Sequence, residues 1–132
     1  PWSWCTDRRP VPMIAFHGTL DRVVPYTGGR SPIAPRPFPN VPMWAANWAR
    51  RNACAPDAVD TAVNATVVRR AYGKCAGGAD VDLYTILGGG HDWPGGGALP
   101  EWLCGPFSRG IDATSVMWAF FRRHPLAGRP AL

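Results

Sequence analysis

Two residues carry the chemistry that this sequence offers: His91, set in Gly88-Gly89-Gly90-His91-Asp92-Trp93-Pro94-Gly95-Gly96, and Asp21, which closes His17-Gly18-Thr19-Leu20-Asp21. An imidazole can take a proton from a hydroxyl and return it to a leaving group near neutral pH, because its unperturbed pKa is about 6.5. A carboxylate beside it fixes the ring's tautomer and stabilises the imidazolium. Together they are two thirds of a hydrolytic triad. The glycines before His91 imply a backbone in conformations that other residues resist, a setting that suits a histidine projecting from a strand end into a site. Asp92 is the rival acid, but neighbouring side chains on an extended segment point apart. Asp21 is therefore the expected orienting acid. His17 reads as a supporting or structural residue, and His124, beside Pro125, as a cap or surface residue. Trp93 either walls a substrate pocket or pins the His91 loop.

The third member of such a triad has no counterpart. A serine nucleophile sits in G-x-S-x-G, a strained strand-to-helix elbow. The serines here are Ser3, Ser31, Ser108 and Ser115, and Gly29-Arg30-Ser31-Pro32-Ile33 lacks the second glycine. In α/β-hydrolases the order is Ser, then Asp or Glu, then His. A missing serine is thus expected ahead of Pro1, and the abrupt Pro1-Trp2-Ser3-Trp4 opening reads as a cut.

The elements that would position Asp21 and His91 are strands that end just before them. Val11-Pro12-Met13-Ile14-Ala15-Phe16 is a short, nearly continuous apolar run, as in a buried parallel strand. Its expected partner is the run from Val81 to Leu87. Open α/β sheets bind ligands at the carboxyl ends of their strands, so both residues would share that edge. Pro25 to Pro42 is dense in proline and glycine and reads as an irregular loop. Asn40 is the expected N-cap, with Pro42 in the first turn, of a helix to about Ala53. Trp44 and Trp48 share one face of it, and Arg50 and Arg51 complement its dipole. Thr66 to Tyr72 is β-branched and predicts a strand in an antiparallel hairpin with the run before His91, joined by a turn over Cys75 to Asp80. A final helix is expected from Asp112 or Thr114 to about Arg123, with Val116, Phe120, Met117 and Phe121 forming an apolar face. Trp44, Trp48 and Trp118 are expected in the core. The order strand, helix, strand, strand, helix is an α/β pattern with too few strands for a complete doubly wound sheet.

Composition narrows the classes further. A chain of 132 residues is one domain's worth or less. The formal charge is +5, nearly all from arginine, but no run approaches the roughly five or six like charges of an interaction tail, so nucleic-acid binding is not expected. No stretch nears the ~20 apolar residues of a membrane span, and no secretory leader opens the sequence. None of Cys5, Cys54, Cys75 and Cys104 lies in a C-x-x-C pair, which argues against a structural zinc site. Their even number and wide spacing suggest disulfides and an oxidising, extracellular compartment. Asn64-Ala65-Thr66 matches a glycosylation sequon, a triplet that also arises by chance.

The segments His17-Gly18-Thr19-Leu20-Asp21-Arg22-Val23-Val24-Pro25-Tyr26 and Gly88 to Gly96 together resemble the secreted esterase family of polyhydroxybutyrate depolymerases and feruloyl or acetylxylan esterases, which are α/β-hydrolases. Cys5 ahead of Arg9-Pro10-Val11-Pro12, Cys54 after the tryptophan helix, Tyr72 with Cys75, and the closing Ile111-Asp112-Ala113-Thr114, Trp118, Phe120-Phe121 and His124-Pro125-Leu126 are also similar. The resemblance covers almost all of residues 1–132 but only the C-terminal half of the family's domain. It implies Asp21 as triad acid, His91 as triad base and a Cys54–Cys75 disulfide, with Cys5 pairing upstream or with Cys104. It implies an ester substrate, a polyester or a plant cell-wall ester, and a serine mechanism without metal or organic cofactor. The nucleophile-bearing N-terminal half of the domain is expected to be a partner, and the 132 residues alone to be inactive. The rival class is a secreted, non-catalytic carbohydrate- or polyester-binding module, suggested by seven tryptophans and abundant glycine; such modules are usually all-β.

Overall fold

The computed structural model describes residues 9–125. Its centre is a four-stranded sheet in the order β1 (Met13–Gly18), β6 (Val81–Ile86), β5 (Val67–Tyr72), β4 (Val59–Asn64). β1 and β6 are parallel, with His17 opposite Thr85 and Gly18 opposite Ile86. β6 with β5, and β5 with β4, are antiparallel. The sheet is therefore mixed, and the fold is mixed α/β. The remaining elements are a two-stranded ribbon, β2 (Gly29–Ser31) with β3 (Ala34–Phe38), and three helices, α1 (Val41–Arg51), the single turn α2 (Glu101–Cys104) and α3 (Ala113–Arg123).

Both long helices start where the sequence supplies a cap. Asn40 Oδ1 accepts from the Met43 amide at 3.0 Å, with Pro42 in the first turn. Asp112 accepts from the Ser115 amide at 3.1 Å and from its hydroxyl. α1 buries Val41, Ala45 and Ala49 on one face of the sheet, against Leu83, Val81 and Tyr72. On the other face Val67, Tyr84 and Ile86 pack with Ile14, Phe16, Ile111 and the α3 residue Val116. β6 is thus covered on both sides, as a central strand must be when its residues read as one apolar run. The exception in that run is Asp82, which is 1% exposed and paired with Arg69.

Three expectations change. The segment from Pro25 to Pro42 is not wholly irregular: it holds the β2–β3 ribbon, whose prolines Pro35 and Pro37 are tolerated because a two-stranded ribbon is all edge. β4 was not expected, since all six of its residues are exposed and show no alternation. Trp118 is not in the core but 64% exposed, because α3 turns Ala113 and Phe120 inward. Trp44 and Trp48 are partly buried, with rings 6.3 Å apart edge to face.

The C-terminal end of α1 is tied to the sheet by polar and covalent links. Buried Asn52, just past α1, accepts from the Val11 amide and donates to the carbonyls of Val11 and Ala79, both at 2.7 Å. A disulfide joins Cys54 to Cys75. Cys104 is a buried free thiol. Cys5 and Ser3 lie outside the described residues.

One edge of the sheet ends on β1. The amides of Met13 and Thr19 donate toward β6, to Asp80 and Ile86 at 3.0 Å. In a parallel strand alternate residues turn their backbone groups to the same side, so Ile14 and Phe16 direct theirs to the open side.

Candidate active site

The loops leaving β1 and β6 are zipped together by backbone bonds. The Thr19 amide donates to Ile86, the Leu20 amide to Gly89 at 2.8 Å, and the Gly88 amide to the Thr19 hydroxyl at 2.8 Å. Only glycine permits this. A Cβ on Gly18 would lie 2.2 Å from the Gly89 carbonyl oxygen, and one on Gly90 would lie 2.3 Å from that of Cys104. Of the three glycines before His91, Gly88 has a positive φ, of 74°. Gly89 and Gly90 are required by close approach rather than by backbone conformation, a refinement of the reason the sequence suggests.

This zipping brings Asp21 and His91 together across a sequence separation of 70 residues. Nδ1 of His91 lies 2.9 Å from Asp21 Oδ2. Oδ1 of Asp21 accepts from the amides of Val23 at 2.8 Å and Val24 at 2.7 Å, an Asx-type turn that sets the carboxylate's angle. The Asp21 side chain is 4% exposed, whereas that of His91 is 44% exposed. With a carboxylate as acceptor, Nδ1 carries the proton and Nε2 presents a lone pair. Among the described residues, no hydrogen-bond partner meets Nε2. His91 lines a cavity of about 280 Å³ that includes Phe16, Gly18, Gly90, Trp93 and Leu99 in its wall. Such an arrangement can take a proton from a hydroxyl brought to Nε2.

The other residues singled out by sequence fall into place around this pair. Asp92 also borders the cavity but accepts from the Ser108 amide at 3.2 Å, holding its own loop. Trp93 is anchored and lines the cavity: Nε1 donates to Thr114 at 2.8 Å and its ring meets Phe16 edge to face at 5.5 Å. His17 lies beside Asp21, with Nε2 at 3.3 Å from Oδ2. His124 is a cap, as expected, but a buried one: Nδ1 donates to the Phe120 carbonyl at 2.8 Å, at the far end of α3 from the site. The described serines are committed elsewhere. Ser31 donates to the Val23 carbonyl and Ser115 to Asp112, while Ser108 accepts from the Gly110 amide.

A second, larger depression of about 770 Å³ runs along the open edge of β1 and is lined by Phe16, Phe38, Trp44, Trp93, Met117 and Phe121 among others. Sequence reading missed it. Two of its helical residues, Met117 and Phe121, were legible as an apolar pair, but not as a face left uncovered.

No family model matches the chain. A stretch of 90 residues is 36% identical to feruloyl esterase B of Piromyces equi; the match takes in 66% of this chain and 16% of that protein. The chain therefore spans well under a fifth of the length of the curated relative it matches, and the similarity supports an esterase-related family and nothing finer.

Proposed function

We propose that this chain is the part of a serine carboxylic ester hydrolase, similar to polyhydroxybutyrate depolymerases and feruloyl esterases, that supplies the acid and the base of a Ser-Asp-His triad. The observation that carries the reading is the buried Asp21 carboxylate on Nδ1 of His91, whose half-exposed ring lines a cavity. In the complete enzyme, Nε2 takes the proton of a serine hydroxyl as its oxygen attacks the ester carbonyl. It then returns the proton to the departing alkoxide, leaving an acyl-enzyme. Water repeats the sequence and releases the acid, and Asp21 stabilises the imidazolium formed each time. The disulfide between Cys54 and Cys75 supports an extracellular setting.

The serine comes from residues outside the 132, in the N-terminal part of the same α/β-hydrolase domain. The backbone groups of Ile14 and Phe16, which pair with no strand among the described residues, and the apolar depression beside them support β1 as the edge on which that part adds its strands. An open strand edge is a template for further pairing. The match to a feruloyl esterase and the ester chemistry of the pair support a plant cell-wall ester or a polyester as substrate. A non-catalytic binding module, usually all-β, fits less well with a sheet covered by α1 and α3.

The test is hydrolysis of p-nitrophenyl acetate. The 132-residue chain alone should show no substantial turnover, and the longer polypeptide should show it, with His91→Ala abolishing it while the fold persists. Full turnover by the longer polypeptide carrying His91→Ala would overturn the reading.

A further inference from the structure

We infer that His17 is a positioning residue for the Asp21–His91 pair, a role that rests on reading those two as acid and base. Nε2 of His17 lies 2.8 Å from the Val24 carbonyl oxygen and 3.3 Å from Asp21 Oδ2. A carbonyl only accepts, so Nε2 carries a proton and donates it there. The same nitrogen lies 3.3 Å from the Asp21 oxygen that receives the proton of His91 Nδ1, close to it while its N–H is spent on Val24. Val24, whose carbonyl His17 holds, is also the residue whose amide donates to Asp21 Oδ1 at 2.7 Å. His17 thus braces the acid turn through Val24, the residue that orients one carboxylate oxygen, while its ring packs beside the other.

The ring has little freedom to do otherwise. Its side chain is 17% exposed. It is flanked by Tyr26, 6.0 Å away, whose hydroxyl is bonded at 2.9 Å to Thr85, the residue opposite His17 in the β1–β6 register. Without the His17 donor on the Val24 carbonyl, the Asp21 turn is held by its amides alone, and the ring that packs beside Oδ2 is gone. The carboxylate can then rotate, and His91 loses the fixed ring orientation that its chemistry needs.

The chain has three histidines, so labelling them with ¹⁵N resolves each ring by NMR. In the unmodified protein His17 is expected as the Nε2–H tautomer; a proton on Nδ1 instead overturns the inference. His17→Leu should broaden or remove the Nδ1–H resonance of His91. In the complete enzyme it should also lower kcat about tenfold with KM within about twofold, since positioning and not binding is lost. His17→Gln, which keeps an N–H near the Nε2 position, should retain the resonance and most of kcat. If His17→Leu does not fold, loss of the resonance in His17→Gln overturns the inference, and its retention with the expected tautomer supports it. An unchanged His91 resonance in folded His17→Leu also overturns it, whether or not the protein hydrolyses esters. A protein with the expected tautomer and variant spectra but no turnover at any length would sink the esterase reading alone.

Discussion

Asp21 and Asp82 are both buried carboxylates close to the same parallel strand pair, and their surroundings differ in kind. Asp82 sits within β6, and Arg69 of β5 takes both of its oxygens in a fork, through Nε at 3.0 Å and a terminal nitrogen at 2.9 Å. Asp21 sits past the end of β1, with two amides on one oxygen and two imidazoles near the other. A guanidinium is permanently charged and pairs with both carboxylate oxygens of Asp82. Amides and imidazole nitrogens hold Asp21 in place without any such permanent cation. Its charge can therefore stabilise a cation formed on an imidazole beside it. Burial alone does not distinguish a structural acid from one poised for chemistry; the charge state of its partners does.

The sharpest way to break this contrast is Asp21→Asn. The amide oxygen can still accept from Val23 and Val24, so the turn should persist. Its NH2 would then face His91, which would turn its lone pair to that side and carry its proton on Nε2, where a base is needed. In the complete enzyme kcat should fall on the order of 10⁴, as other triads do when the tautomer is wrong. Steady-state kinetics beside a thermal melt checks it; an unaltered kcat removes Asp21 from the mechanism. A smaller loss is expected from Gly18→Ala. The added methyl meets the Gly89 carbonyl, so the two loops must separate and carry Asp21 and His91 apart. A displacement near an ångström costs on the order of 10² in rate. The ¹⁵N histidine spectrum should lose the Nδ1–H signal in parallel, and a wild-type spectrum would show that the loops do not control the pair.

Asp82 should respond in stability instead. Arg69→Met leaves a carboxylate buried without its counterion, which should cost about 2–3 kcal/mol, less than a wholly buried pair because the Arg69 side chain is 35% exposed. Burial pushes the Asp82 carboxyl above its ordinary range, with the hydrogen bonds from Arg69 opposing that rise. The folded state therefore holds this proton more tightly than the unfolded chain does. Stability from this group falls as pH rises through the window between the ordinary carboxylate value and the raised one. Removing Arg69 widens that window. Urea melts should accordingly show the loss in full at neutral pH and much reduced in acid. A loss independent of pH would mean that Arg69 acts by packing, not by charge.

The meeting of Asp21 and His91 is legible from sequence because both follow apolar runs that read as neighbouring strands, and strand ends on one edge converge. Asn40 is legible as a cap, and the start of α3 to within two residues of the Asp112 cap, because a helix start is a local event. What stays hidden is decided at a distance. Pro35 and Pro37 disguise β3, and β4 is written entirely in exposed residues, so its place depends on pairing with β5. Helical spacing finds the faces of α3 but does not say which turns inward, hence the exposure of Trp118. The need for glycine at 89 and 90 comes from backbone segments remote in sequence, and the hold of His17 on Val24 comes from a turn that the sequence does not draw.

The smallest expected effect comes from the pair that lies outside the comparison, Asp60 and Arg70, and it tests whether a fork alone has value. Arg70 reaches Asp60 through Nε at 2.7 Å and a terminal nitrogen at 2.6 Å, a fork as good as that on Asp82. Both side chains are well exposed, however, and β4 is the sheet's outer antiparallel strand. The hydrogen bonds from Arg70 hold the Asp60 carboxyl below its usual range. Its contribution is therefore present above the ordinary carboxylate value and fades as pH falls toward the lowered one, the reverse of Asp82. Water screens the charges and competes for the bonds, so Arg70→Met should cost at most about 1 kcal/mol, and less in high salt. Melts of Arg69→Met and Arg70→Met at neutral pH should separate the two forks by more than their geometry does. Equal losses would mean that the burial of Asp82 adds nothing, and that hydrogen-bond geometry sets the worth of each pair.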